Sequence, residues 1–174
     1  MNLKPQDVVV ALKLSAYPEA RPTISIIANE LGLSPSEVHG AIGRLRKSRL
    51  LHGPSLKDRP NISALEEFLI HGLKYAFPAE HSEVTRGVPT SYAAEPLKSE
   101  ISSPDELPPV WPWPEGDTRG VGLEPLYKNV PQAALRDRKL YELLSLVDAI
   151  RDGRARERKI AEQELVQRLK TQHG

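Results

Sequence analysis

Apolar side chains recur at helical spacing towards both ends of the chain and lose that rhythm between them. Pro5 suits a first helical turn, and Val8, Val9, Leu12 and Leu14 predict a helix over 5–16, ending before Tyr17-Pro18. Thr23 is placed to cap a second helix carrying Ile24, Ile27, Ala28 and Leu31. The third start is the best signed: Ser34 caps, Pro35 takes the first helical position, and Glu37 completes a reciprocal capping box. Val38, Ile42 and Leu45 line one face of that helix, and Leu50-Leu51 lead out into a short extended piece. Ser63 and Glu66 repeat the capping-box spacing ahead of Leu65, Phe68, Leu69, Leu73 and Ala76, a stripe that stops at Phe77-Pro78. Near the C-terminal end Leu140, Leu143, Leu144, Val147 and Ile150 follow one helical face. Asp152-Gly153 predicts a stop with glycine in the left-handed position, and Ile160, Ala161, Leu165, Val166 and Leu169 form a last stripe.

Between Ala79 and Asn129 periodicity is poor. Val110 to Pro114 reads as extended, Glu115-Gly116-Asp117 as a turn, and Arg119 to Leu123 as a short edge strand; the rest reads as loop held down by Trp111, Trp113, Leu126 and Tyr127. Twelve of the sixteen prolines lie from Pro54 to Pro131, which disfavours long helices there. The predicted fold class is therefore mainly α, with helices over the N-terminal part, a proline-rich irregular middle and C-terminal helices.

Charge divides the chain at the same places. The 24 Lys and Arg nearly balance 23 Asp and Glu, but residues 1–60 carry +4, residues 61–132 carry −6 and residues 133–174 carry +3. These three stretches are the predicted units: an N-terminal helical domain over 1–60, a helix plus acidic proline-rich extension over 61–132, and a C-terminal helical pair over 133–174. With 39% hydrophobic and 27% charged residues the chain reads as a soluble globular protein, and no apolar run approaches the length of a membrane span. The chain opens on no secretory leader, which predicts a cytoplasmic protein. The absence of cysteine excludes disulfides, thiolate metal sites and cysteine nucleophiles.

Residues 24–43 carry the functional signal. Ala28 must be small where a second helix crosses it, Gly32 supplies the positive-φ turn, and Val38 anchors the second helix on the first, with Ile27, Leu31 and Leu33 at the junction. Leu31-Gly32-Leu33-Ser34-Pro35-Ser36-Glu37-Val38, followed by Ala41-Ile42-Gly43-Arg44-Leu45 and Leu50-Leu51, resembles the bacterial winged-helix regulators of the MarR-like group over about residues 20–52. The resemblance implies that residues 1–60 form an N-terminal winged helix-turn-helix DNA-binding domain, that the protein is a transcriptional regulator setting a recognition helix (34–49) in the major groove of double-stranded DNA, and that it binds as a homodimer. It also implies a wing after Leu51, where Gly53 to Pro60 carries Lys57 and Arg59; Pro54, Pro60 and the shortness of the segment depart from the usual hairpin. With Val38, Ile42 and Leu45 turned inward, Ser36, His39, Gly40, Gly43, Arg44 and Lys47 face outward, and Ser34 stands at the helix start. Ser36 and His39 are placed for base edges, the two glycines let the backbone approach DNA, and Arg44, Arg46, Lys47 and Arg49 form a basic cluster for phosphates or guanine edges. The competing reading is a helix pair used only as a scaffold or protein contact.

Leu140, Leu143, Leu144, Val147 and Ile150 are the candidate dimer contact; the same stripe could instead pack on helices 5–16 and 63–77. The acidic 79–132 segment suggests an antitoxin-like alternative, in which it masks the basic active site of a toxin-like enzyme. No catalysis, cofactor or metal is expected. His71 and His81 lack ligand spacing, Gly120-Val121-Gly122 lacks the rest of a phosphate loop, Glu66-Glu67 is explained by capping, and Trp111 and Trp113 read as anchors.

Overall fold

Helix α1 (Pro5–Ser15) is buried along its whole length from Asp7 to Ser15. A helix that is buried on all sides belongs at the centre of a fold, and α3 (Pro35–Lys47), α7 (Arg138–Asp152) and α8 (Ala155–His173) pack around this one. The computed structural model that shows this describes residues 2–17, 20–53, 58–101 and 105–173.

Helix α2 (Ile24–Leu31) begins at Thr23, whose hydroxyl accepts from the Ile26 amide at 3.4 Å. It ends at Gly32 with φ at +69°. Ala28 and Val38 are buried where α2 and α3 cross, and Ile27, Leu31 and Leu33 fill the junction. Far along the chain, Asn129 donates to the Gly32 carbonyl at 2.7 Å, so the α2–α3 turn is closed from outside. Helix α3 opens on the reciprocal cap: the Ser34 amide donates to Glu37 at 2.7 Å and the Glu37 amide to the Ser34 hydroxyl at 3.1 Å.

Two helix ends differ from what spacing predicts. Helix α4 (Ile62–Glu67) starts from Asn61, which accepts from the Ala64 amide at 3.3 Å, and not from Ser63. It runs through a π turn, Phe68–Gly72, into α5 (Leu73–Ala76). Gly153, after α7, has φ at −69° and is extended; its glycine is required because a Cβ would meet the Ala149 carbonyl. Helix α6 (Val130–Arg136), which the apolar pattern does not announce, packs on α2 and α7.

The proline-rich middle is ordered into a sheet. Strand β1 (His81–Pro89) pairs antiparallel with β2 (Pro109–Pro112) through one end and with β3 (Thr118–Leu123) along most of its length, while β2 and β3 pair in parallel. Each strand thus bonds to both others, and β3 is not an edge strand. Closure this tight needs bare backbone. A Cβ on Gly87 would strike the Trp111 carbonyl and one on Gly120 the Pro108 carbonyl.

The expectation of a mainly α protein with an N-terminal winged helix-turn-helix is therefore corrected. The protein is mixed α/β: among the described residues 57% are helical and 13% are in strands, which form a three-stranded mixed sheet. The segment expected to be irregular supplies that sheet. Where a wing is expected, Leu51 and Pro60 make one isolated bridge, and the described residues there form no strand. Val88, Leu97 and Trp111 join the sheet and its loops to the same core as the helices.

Candidate nucleic-acid interface

The solvent side of α3 is built on two buried carboxylates. Asp7, fully buried in α1, takes Arg44 as a bidentate partner: Arg44 Nε at 2.7 Å and the adjacent amino group at 2.8 Å. The Lys4 amide completes its shell at 2.9 Å. Hydrogen bonding to Asp7 raises the Arg44 pKa further, so this cation is fixed. Gly40 has its own reason to be bare, since a Cβ there would press on the Arg44 guanidinium at 3.3 Å. Asp58, also buried, gathers Arg46 and Arg21, with Arg21 Nε at 2.9 Å. Paired buried charges are strongly position-fixing, and breaking one strands the other. Arg44 and Arg46, expected at DNA, instead brace α3 against α1 and the following loop.

What remains outward is narrower than the sequence suggests. The Ser34 hydroxyl is occupied as a cap. Ser36, His39 and Lys47 are exposed, and Gly43 is open, with nothing within 4 Å of where a Cβ would stand. These four lie on one helical face. Beyond the helix, Arg49 and Arg59 are exposed, and Lys47, Arg49 and Arg59 make no ion pair among the described residues. Lys57 lies outside the described residues.

Arg49 is bent into the left-handed region, with φ at +64°. It occupies the position after a helix where glycine is the usual choice. The neighbouring backbone holds it there: the Leu50 amide donates to the Leu45 carbonyl at 3.0 Å, and the Asn61 side chain donates to the Arg49 carbonyl at 3.1 Å. The His52 amide reaches the Arg59 carbonyl at 2.8 Å, bringing Arg59 beside the exit of α3.

The five residues expected at a dimer contact lie elsewhere. Leu140, Leu143, Leu144, Val147 and Ile150 are at most 3% exposed and pack in the chain's own core, which leaves them no surface to offer a second copy. His71 is exposed, and His81 pairs with Asp152 at 2.6 Å. Among the described residues no three His, Asp or Glu side chains converge as metal ligands do. Trp111 anchors the sheet: its indole donates at 2.7 Å to buried Asp148, which also accepts from Thr90 at 2.7 Å and from Arg151 at 2.9 Å. Gly120 and Gly122 are strand residues, and Glu66 carries a carboxylate oxygen that caps nothing.

Asp7, Asp58 and Asn129 hold this surface in place, and neither periodicity nor motif spacing singles out any of the three. One signal does point to the first. A helix as apolar as 5–16 must pair any charge it carries, and it carries Asp7 and Lys13. Lys13 is held between Asp137 at 2.7 Å and Glu30 at 2.9 Å, and its hydrogen bond keeps the Glu30 carboxyl below its usual range. Among the described residues no helix is long and apolar enough to cross a membrane. No protein-family model, curated protein or solved structure matches the chain.

Proposed function

We propose that the protein binds double-stranded DNA through the outward face of α3 and the loop that follows it, and acts in the cytoplasm as a transcriptional regulator without a chemical step of its own. The observation that carries this reading is the contrast within one basic cluster. Arg44 and Arg46 are consumed in holding α3 rigid, while Lys47, Arg49 and Arg59 are exposed without ion-pair partners among the described residues, beside a helix face of small side chains. A braced helix with Ser36 and His39 near its start suits base edges, and open Gly43 allows close approach of the duplex backbone. The three cations suit phosphates. The resemblance of residues 20–52 to MarR-like regulators points the same way.

The test must leave Arg44 intact, because removing it creates a structural defect in place of a binding one. Lys47→Ala combined with Arg59→Ala is expected to weaken duplex binding. It should also flatten the log–log salt dependence by about two, one for each phosphate that is no longer neutralised. Fluorescence anisotropy on duplexes selected from a random pool measures both quantities. Unchanged affinity and slope would remove α3 and its loop from the interface. The symmetry of the selected sites reports how many copies bind; a dimer would have to meet through a surface other than the buried α7 stripe.

A further inference from the structure

The segment with the most acidic sequence presents a basic and apolar face. The β1–β3 register sets Arg86 opposite Arg119 and, at the next pair on the same side of the sheet, Val84 opposite Val121. Both arginines are exposed and neither has an ion-pair partner among the described residues. Like charges directly opposed across an antiparallel pair destabilise it, so this rung works against the sheet that carries it. Asp117, next to Thr118, accepts from that residue's hydroxyl at 2.9 Å. Glu106 is held by Arg154 at 2.9 Å.

The valine rung is unusual for the opposite reason. Val84 is 43% exposed, and Leu107, just ahead of β2, is 48% exposed. Leu107, Pro109 and Val121 line a cavity of about 290 Å³, whose far wall is Asp152 to Arg154. The inner side of the two strands offers no alternative surface, since Gly87 and Gly120 are bare there and β2 runs against them. Two guanidiniums free of ion pairs therefore stand beside an exposed apolar rung that leads into a cavity.

We infer that this face docks a partner protein through a segment in which carboxylates flank an apolar side chain. The carboxylates take Arg86 and Arg119, each guanidinium offering a bidentate fork, and the apolar side chain enters beside Val84, Val121 and Leu107. Charge complementarity fixes the sign of the partner, and the valine rung distinguishes a protein from a bare polyanion, which has no use for it. Docking here does not depend on DNA binding by α3.

The probe is a short fluorescent peptide with Asp and Glu around one Leu, tested by anisotropy and by amide chemical-shift mapping on the full chain. Binding is expected, with shifts at residues 84–86 and 119–121. Arg119→Glu is the decisive variant. It places a carboxylate opposite Arg86, satisfying the rung, so the fold is kept or strengthened while peptide affinity falls about tenfold or more. Val84→Ser is expected to weaken the same peptide without touching the charge. Duplex binding through α3 is unchanged in both variants, which separates a failure here from a failure of the DNA reading. Docking of this kind is refuted if the peptide does not bind or if shifts fall elsewhere. It is equally refuted if a peptide with Ser in place of Leu, or a single-stranded oligonucleotide, binds as well as the probe. Self-association of the wild-type chain that Arg119→Glu abolishes would assign the face to a second copy and overturn it too.

Discussion

Arg49 holds a conformation that disfavours every residue with a Cβ, and it does so on the surface, where nothing in the core requires an arginine. Glycine in the same place would relieve strain of about 1–2 kcal/mol, partly offset by its greater freedom in the unfolded chain. Arg49→Gly is therefore expected to raise the melting temperature slightly and, if Arg49 meets a phosphate, to lower duplex affinity at the same time. Calorimetry beside anisotropy checks the pair: a variant that loses stability would remove the strain, and one that binds the duplex as tightly as the wild type would remove the phosphate contact. Such opposed effects mark a residue kept for what it touches. Arg44 is the reverse case. Helical spacing turns it outward on α3 and so towards DNA, and periodicity cannot show that a fully buried aspartate on α1 reaches for it. The caps at Thr23 and Ser34 and the Gly32 turn are legible in the sequence because their cause is local. Asp7, Asp58 and Asn129 are not, because the partner lies 37, 12 or 97 positions away.

At the scale of elements, α2, α3, α7 and α8 are legible because their apolar residues repeat every three to four positions, whereas the short α6 carries no such stripe. Strand β1 is not legible either. Its exposure runs unbroken from His81 to Val84 and its buried residues are adjacent, so no alternation marks it. A register shift between His81 and Val84 disturbs the pairing as well. The glycines that look like loop signals are the means by which the strands close on one another. Gly120→Ala tests this directly. Ala suits an extended backbone no worse than Gly, yet its Cβ would strike the Pro108 carbonyl. A loss of about 2–3 kcal/mol is expected from the displaced strand, read from denaturant melts, whereas Gly43→Ala on the open face of α3 should leave the fold unharmed. Equal effects of the two substitutions would show that the sheet yields without cost.

Across the whole molecule, sheet and helices meet at a few polar joints. Tyr141 of α7 donates to the Pro89 carbonyl at 2.6 Å and stacks its ring at a tilt 5.6 Å from Trp111. Burial, helped by Asp117, pushes its hydroxyl pKa from 10 up to about 12. The raised value means that the folded state prefers the neutral phenol. Its contribution is complete below pH 10 and is lost as pH climbs from 10 towards 12. Stability measured by denaturant titration is expected to fall over that window, and Tyr141→Phe to flatten the fall while lowering stability at neutral pH. An unaltered alkaline slope in the variant would place the alkaline sensitivity on other groups. The charge segments keep their meaning only in part at this scale. The +4 of residues 1–60 survives the pairing of Arg21, Arg44 and Arg46, because Asp7 and Asp58 lie in the same stretch, while the −6 of the middle coexists with an arginine rung on its surface.

The hydrogen bond from Asn129 to Gly32 spans 97 positions, and it has a consequence for synthesis. A ribosome delivers α3 long before it delivers Asn129, and α7 follows later still. Until then the side of α1 that α7 and α8 cover has no wall, and the apolar side chains there stay in water. A nascent chain in that condition is a substrate for chaperones and a hazard for aggregation. The helix face that would meet DNA therefore gains its final setting only when most of the polypeptide has left the ribosome, so a prematurely terminated product would lack a fully assembled binding surface.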